Sequence, residues 1–303
     1  LVFSNGTVTI AGNTATISNG IVTATVGGPG TLESITLGVG GQLNLYNGDS
    51  GIYAYQGISN LILQGGIVYG GSGTYNAYGA SILGNVTVSG SAASTITGAS
   101  WFNLQPSTTF TVADATGSPA TDLLVSTSLR GPAGNPDWNY NAAALTKEGA
   151  GTMEMTVHSY FWGGLTLNGG TVKVSGGNGG YGFFSGTVTV NAGGIWFGGA
   201  VTLTGALTKS GPGILGLNGV ANSGAGGINV LAGTLYTDTS TITAPSFGTG
   251  PVAISAGANV VINSKPAADP AYANAFSGAG NLYVSPAAGG TSTRNLSGDL
   301  SAF

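Results

Sequence analysis

The sequence has no cysteine and very little charge. Its 303 residues include 6 lysines and arginines and 10 aspartates and glutamates, so charged side chains make up 5% of the chain, against about 25% in an average globular protein. Without cysteine there are no disulfides and no thiolate chemistry. The six basic residues are scattered and the isoelectric point is about 4.6, whereas a nucleic-acid interface needs clustered positive charge. We therefore expect no nucleic-acid partner.

Long hydrophobic runs are also missing. Apolar stretches such as residues 61–69 are interrupted by glycine or a polar residue within a few positions, whereas a transmembrane helix needs about 20 mostly apolar residues. We therefore predict no membrane span. The opening Leu1-Val-Phe-Ser4 lacks the basic region of a secretory signal, and we expect it to be a mature N-terminus left after cleavage of an export signal.

Residues suited to catalysis are few. The single histidine, His158, falls in an expected surface loop, and a catalytic role would require a partner acid or nucleophile. The acids form no Asp-Asp or Asp-x-Asp pair; they are Glu33, Asp49, Asp114, Asp122, Asp137, Glu148, Glu154, Asp238, Asp269 and Asp299. We predict that the chain is not an enzyme and has no catalytic, cofactor-binding or metal-binding residue. A polysaccharide-degrading enzyme is the least favoured alternative, kept because folding can bring two distant carboxylates together.

Glycine, threonine and β-branched residues dominate what is present. Glycine contributes 57 residues without the strict period of three found in collagen, and 42% of residues are hydrophobic, which is too many for a disordered chain. Apolar and polar residues alternate with period two in short segments bounded by glycine, asparagine or serine, which predicts β-strands joined by tight corners. The clearest segments are 7–10, 14–17, 21–26, 86–88, 110–112, 171–174, 187–190 and 201–204.

An internal repeat decides between a sandwich, a barrel and a solenoid. Leu145-Thr-Lys-Glu-Gly-Ala-Gly151 recurs as Leu207-Thr-Lys-Ser-Gly-Pro-Gly213, and each copy continues through a Gly-Gly pair into a strand and then through Gly-Thr into another. A repeated strand and turn cannot bury its own apolar face, so neighbouring repeats must stack on one another. The sequence therefore predicts an all-β fold, a β-solenoid (parallel β-helix) of short strands with glycine-rich corners, with roughly 20 residues per turn.

These repeats resemble the autotransporter-associated β-strand repeat, whose pattern is roughly Leu-Thr-Lys-x-Gly-x-Gly-x-Leu-x-Leu followed by Gly-Gly-x-x-Val-x-Gly-Gly-Thr-Leu. The first copy follows this pattern with Met153 and Met155 in place of the leucine pair. The resemblance implies a right-handed parallel β-helix in a secreted or surface-displayed passenger region, most plainly over residues 110–236. It implies a scaffold and no activity.

The repeat pattern also divides the chain in our interpretation. We predict a β-rich N-terminal segment over residues 1–109, with irregular loops rich in tyrosine, and a repeat-containing solenoid over residues 110–303. Neither tip of a solenoid is blunted by a helix or proline in this sequence, and unpaired strand edges invite association. We therefore expect head-to-tail self-association, with residues 1–26 as a possible strand donor to a neighbouring copy.

Clustered aromatic residues suggest a second kind of partner. Trp138 with Tyr140, and Tyr160 with Trp162, fall in expected loops, and exposed aromatic rings bind sugars or partner subunits by stacking. Internal stacking between turns is the alternative role. The first hypothesis is thus a structural protein of the extracellular surface, bacterial by resemblance, that forms a fibre, sheath or stalk as a homo-polymer through its solenoid ends. An adhesin or glycan-binding module that contacts surface glycans through these four residues is the alternative.

Overall fold

A computed structural model of the chain shows an all-β protein whose parallel strands stack as a β-solenoid, as predicted. The structure describes residues 2–4, 7–11, 14–18, 20–25, 30–46, 56–70, 80–98, 102–105, 107–130, 144–157, 159, 163–175, 183–198, 202–217, 226–238, 247–264, 272–286 and 300–303. No helix occurs among them. The chain divides into two compact units, Leu1–Phe161 and Trp162–Phe303, which we describe separately. The predicted boundary near residue 110 derives from the repeat pattern and stays a prediction.

Unit 1 contains sixteen of the described strands. They are β1 (Val2–Ser4), β2 (Thr7–Ala11), β3 (Thr14–Ser18), β4 (Gly20–Thr25), β5 (Gly30–Gly38), β6 (Gly41–Tyr46), β7 (Gln56–Gln64), β8 (Ile67–Gly70), β9 (Ala80–Val88), β10 (Ser94–Gly98), β11 (Phe102–Leu104), β12 (Ser107–Val112), β13 (Leu123–Ser126), β14 (Leu129–Arg130), β15 (Ala144–Glu148) and β16 (Thr152–Met155).

Two main sheets run through unit 1, and consecutive strands alternate between them over most of its length. One has the order β1-β4-β6-β8-β10-β13-β16 and the other β2-β3-β5-β7-β9-β12-β15, while β11 pairs with both β9 and β14. All these pairings are parallel except two at the N-terminal edge, where β1 is antiparallel to β4 and β2 is antiparallel to β3. Residues of the predicted strand donor, 1–26, thus include four strands that pair within this chain.

Unit 2 has the same construction with twelve described strands. They are β17 (Gly164–Leu167), β18 (Thr171–Val174), β19 (Phe183–Val190), β20 (Gly194–Phe197), β21 (Thr202–Ser210), β22 (Ile214–Leu217), β23 (Ile228–Val230), β24 (Thr234–Asp238), β25 (Val252–Ile254), β26 (Asn259–Ser264), β27 (Phe276–Gly278) and β28 (Asn281–Pro286). One sheet has the order β18-β20-β22-β24-β26-β28 and the other β17-β19-β21-β23-β25-β27.

Period-two alternation creates the core because every second side chain points inward. In unit 2, paired inward residues form columns along the stack, such as Val172, Ile195, Leu215, Leu235 and Val260, each fully buried. Paired residues in successive turns lie 20 positions apart from Ile195 to Leu215 and 25 apart from Leu235 to Val260. Turn length therefore varies while the inward register is kept.

Candidate functional site

The four aromatic residues predicted to contact a partner, Trp138, Tyr140, Tyr160 and Trp162, lie outside the described residues, and so does His158. Their predicted roles stay predictions. A different set of aromatic side chains occupies the outer face of unit 2, and this set is the candidate site.

The set is a column of outward residues on the sheet that contains β18 and β28. Strand pairing aligns Lys173, Trp196, Gly216, Tyr236, Val261 and Tyr283 on six successive strands. Aromatic residues of this column thus recur on every second strand of the sheet, on β20, β24 and β28. We call Trp196, Tyr236 and Tyr283 the aromatic row.

Trp196 lies low on the sheet because two glycines leave room for its ring. A Cβ atom at Gly216, its partner on β22, would collide with the six-membered ring of the indole, and a Cβ at Gly194, two residues earlier on its own strand, would lie 2.7 Å from the indole Nε1. The indole therefore fills the space that side chains at both positions would need. The ring remains partly exposed to solvent.

Tyr236 is held beside Trp196. The two ring centroids are 5.9 Å apart and the ring planes meet at 76°, the edge-to-face geometry that aromatic pairs favour. On the other side, Asn263 Nδ2 donates a hydrogen bond of 2.9 Å to the Tyr236 hydroxyl. The indole and the phenol ring thus form a fixed corner on the sheet surface, while Tyr283, further along, is 53% exposed.

A polar column runs beside the aromatic row. Thr234, Asn259 and Asn281 are aligned on β24, β26 and β28, and Asn281 Nδ2 donates a hydrogen bond of 3.0 Å to Asn259 Oδ1. Amide side chains in a column can donate and accept simultaneously. The surface next to the tyrosines therefore offers neutral hydrogen-bonding groups in register with the strands.

No family model, curated protein or solved structure matches this chain. The site must therefore be interpreted from its own geometry. Among the described residues, no three His, Asp or Glu side chains are grouped so that they could hold a metal ion. In the same part of the chain, no helix is long and apolar enough to cross a membrane.

The two repeat lysines are buried in the core. Lys209 aligns with Val188 and Val230 on the inner face of its sheet and is fully buried. Its Nζ donates to the carbonyl oxygens of Ser210 at 3.0 Å, Gly211 at 2.7 Å and Ala232 at 2.9 Å. Removal from water lowers its pKa from 10.5 to about 8. This lysine satisfies corner carbonyls of two successive turns.

Lys147 has the equivalent position in unit 1. It is fully buried, aligns with Phe110, and its Nζ donates to Gly149 O at 2.6 Å. Burial lowers its pKa from 10.5 to about 8, and the nearby carboxylates of Asp122 and Glu148 oppose that shift. The repeat lysines therefore act as internal caps of the glycine corners.

Asp122 provides a similar internal link. Its carboxylate is fully buried and accepts hydrogen bonds from Thr116 N at 2.8 Å and Thr152 N at 2.7 Å. Its backbone is also bonded to Ser94 and Thr152 in the turns on either side. Asp122 thus joins neighbouring turns of unit 1, which is a structural role.

The last strands of unit 2 expose residues that belong to the core. Leu282 and Val284 on β28 continue the inward columns of Val260 and Ile262, which are fully buried, yet both are partly exposed. Next to β27, Gly278 N donates to Ala302 O at 3.1 Å, and Ser277 forms a parallel bridge with Ala302. Leu300 and Phe303 beside this bridge are 40% and 47% exposed. We call β28 with residues 300–303 the C-terminal edge.

The sequence-based prediction missed two features, the buried repeat lysine and the aromatic row, and a sequence signal existed for the first. Alternation along Leu207-Thr-Lys209 puts the lysine on the same face as a buried leucine, so its burial follows from the strand pattern. The same alternation puts Trp196, Tyr236 and Tyr283 on the outer face. That they form one column depends on strand register, which the sequence pattern does not specify.

Proposed function

We propose that this chain is a structural protein of the extracellular or cell-surface space, built from repeats of the autotransporter-associated type, which self-associates through strand edges into a fibre, sheath or stalk. The observation that carries the proposal is the C-terminal edge. There Leu282 and Val284 are partly exposed, whereas Val260 and Ile262 in the preceding turn are 0% exposed.

An exposed continuation of an apolar core favours a further layer of strands. Backbone groups along an edge strand are available for pairing with another chain, and each added parallel strand also covers the inward side chains beneath it. The bridge from Ala302 to Ser277 is an instance of such pairing within the chain. A second copy that supplied strands at this edge would bury Leu282, Val284 and Phe303.

In unit 1, β1 and β2 are the outermost strands in the orders of the two described sheets. Both pair antiparallel with their neighbours. Donation of residues 1–26 to another copy would carry these two pairings along within the donated segment. It would replace the parallel pairings of β3 with β5 and of β4 with β6 by the same pairings between chains, which is a domain swap. This strand exchange is part of the proposal.

The low charge of the chain supports assembly. Few charged side chains are present to repel a second copy, since 5% of the residues are charged and the formal net charge is −4. The absence of cysteine is consistent with export and display at a bacterial surface, and immunogold labelling of intact cells tests that location.

The self-association proposal is tested by placing a charge in the C-terminal edge. We expect the wild-type chain to form concentration-dependent polymers in sedimentation velocity and negative-stain images. Val284→Lys should abolish them, because the new layer would have to bury an ammonium group. The matched control is Ile214→Lys, which adds the same charge at an outward position 38% exposed on β22 and should still assemble. A monomeric wild-type chain, or equal assembly of both variants, would refute the proposal. Unchanged assembly after deletion of residues 1–26 would exclude the strand exchange alone.

A second candidate function is adhesion by glycan binding, and the aromatic row is the observation that favours it. Partly exposed Trp196 and Tyr236 and the well-exposed Tyr283 lie on one outer face with neutral polar groups beside them. Aromatic rings with adjacent hydrogen-bonding groups are typical of surfaces that bind partly apolar, partly polar ligands.

A further inference from the structure

We propose that the aromatic row of unit 2 binds one chain of a neutral, extended β-linked polysaccharide, which runs across the strands along the column from Trp196 to Tyr283. This inference deepens the second candidate function and rests on it, and it does not depend on self-association. The proposed site consists of residues of unit 2 alone.

Trp196 offers a stacking surface for a sugar ring. The indole of Trp196 lies over the positions of Gly194 and Gly216 and is partly exposed to solvent. A β-linked glucose or N-acetylglucosamine ring has its substituents equatorial and presents a flat face of C–H groups, which packs against an aromatic face. Tyr236, at 76° to the indole and 5.9 Å away between centroids, limits the sugar at one side. In this proposal the corner holds one hexose ring against the indole.

The spacing of the aromatic residues along the column matches the repeat of an extended sugar chain. Tyr236 and Tyr283 lie on β24 and β28 with only β26 between them, and neighbouring strands are about 4.8 Å apart, so the two tyrosines originate about 10 Å from each other. In an extended β-1,4-linked chain the same ring face recurs at every second hexose, over a similar length. Trp196, on which the first sugar stacks, originates on β20, four strand spacings or about 19 Å from Tyr283. The same ring face therefore returns near Tyr283 four hexoses further along the chain.

The surface beside the aromatic row is polar and nearly uncharged. Asn259 and Asn281 form an amide column beside the row, and such groups bond to sugar hydroxyls as both donors and acceptors. The aligned aromatic and polar columns contain one charged residue, Lys173, at their β18 end. An uncharged polysaccharide matches this surface, whereas a polyanionic one would find a single cation.

The experiment measures binding of cellohexaose and chitohexaose to the full chain by isothermal titration calorimetry, with maltohexaose as an α-linked, curved control. We expect binding of at least one β-linked hexaose and none of maltohexaose. Trp196→Ala and Tyr283→Ala should each weaken binding by about tenfold or more, since each removes one stacking contact. Tyr69→Ala is the matched control, because Tyr69 is also a partly exposed tyrosine but pairs with Asn44 and Thr97 and belongs to no aromatic column.

Two aromatic variants are used so that a folding defect in one of them does not decide the result. Tyr283 is 53% exposed on an edge strand, so its replacement leaves the core intact even if Trp196→Ala loosens the sheet; circular dichroism checks both. The inference is overturned if neither β-linked hexaose binds. It is also overturned if Tyr69→Ala loses as much affinity as Trp196→Ala and Tyr283→Ala. Equal binding of maltohexaose overturns the extended-chain assignment. Sedimentation of Trp196→Ala separates this outcome from the proposed assembly: polymers that persist while binding is lost assign Trp196 to the glycan alone.

Discussion

Replacement of Lys209 by methionine tests whether the repeat lysine stabilises the solenoid from within. Methionine has a similar length and no charge, so Lys209→Met keeps the inward column filled between Val188 and Val230 and removes the donor. Three carbonyl oxygens, at 3.0, 2.7 and 2.9 Å from Nζ, would lose their partner. We expect the variant to unfold more easily than the wild type.

The magnitude follows from two opposing terms. Each buried carbonyl oxygen left without a donor costs about 1–3 kcal/mol, while removal of an ammonium group whose burial already lowers its pKa returns several kcal/mol. With three bonds, the net loss in the free energy of unfolding should be about 3 kcal/mol. The same change at Lys173, an outward and partly exposed residue, should alter stability by about 0.5 kcal/mol or less.

Urea denaturation followed by far-UV circular dichroism measures both variants. A lower midpoint for Lys209→Met than for Lys173→Met, with similar slopes, is the expected result. If Lys209→Met is as stable as Lys173→Met or more stable, the lysine is a tolerated buried charge and the capping argument is wrong.

Three further predictions concern the interior and the corners. Burial lowers the pKa of Lys147 and Lys209 from 10.5 to about 8, so the unfolded chain binds more protons than the folded chain between pH 8 and 10.5. Stability therefore increases with pH in this range, and the urea midpoint should rise from pH 7.5 to 9.5. This rise should vanish in the double variant Lys147→Met/Lys209→Met. Gly193→Ala should destabilise by about 3 kcal/mol, since the new Cβ would collide with the Gly170 carbonyl, whereas Gly257→Ala has similar positive φ and open space and should cost about 1 kcal/mol of backbone strain; equal thermal shifts would contradict this. Asp122→Ala should lower the free energy of unfolding by about 3 kcal/mol, because the amides of Thr116 and Thr152 lose their acceptor; a double-mutant cycle with Lys147→Met should show coupling, and additive losses would mean that the two groups act separately.

Much of the fold could be predicted because its main determinants are local. Segments such as Thr171–Val174 alternate strictly and are flanked by glycine, so their strand character follows from neighbouring residues alone. The repeat of Leu145–Gly151 at Leu207–Gly213 then required stacking. The antiparallel pairing of β1 with β4 and of β2 with β3 was not predicted, because strand direction depends on which segments meet in space and the alternation is the same in either direction.

The candidate site was less predictable because it depends on register. Trp196, Tyr236 and Tyr283 are separated by unequal lengths of chain, since turn length varies from 20 to 25 residues between Leu215 and Val260. No fixed period in the sequence therefore marks them as one column. The burial of Lys209 was hidden for another reason: charged side chains are rarely fully buried, and only the three carbonyls of a glycine corner make this position favourable.

In a stack of similar turns, a strand could pair with the wrong neighbour, because a displacement by one turn places one aliphatic side chain where another had been. The column of Leu165, Val188, Val230 and Ile254 would accept almost any such displacement, because one branched side chain would replace another. Lys209 interrupts this uniformity. A displaced strand would carry its ammonium group away from the oxygens of Gly211 and Ala232 and into a hydrocarbon layer. Within this column of unit 2, Lys209 therefore favours one alignment of the turns over alignments displaced by one turn.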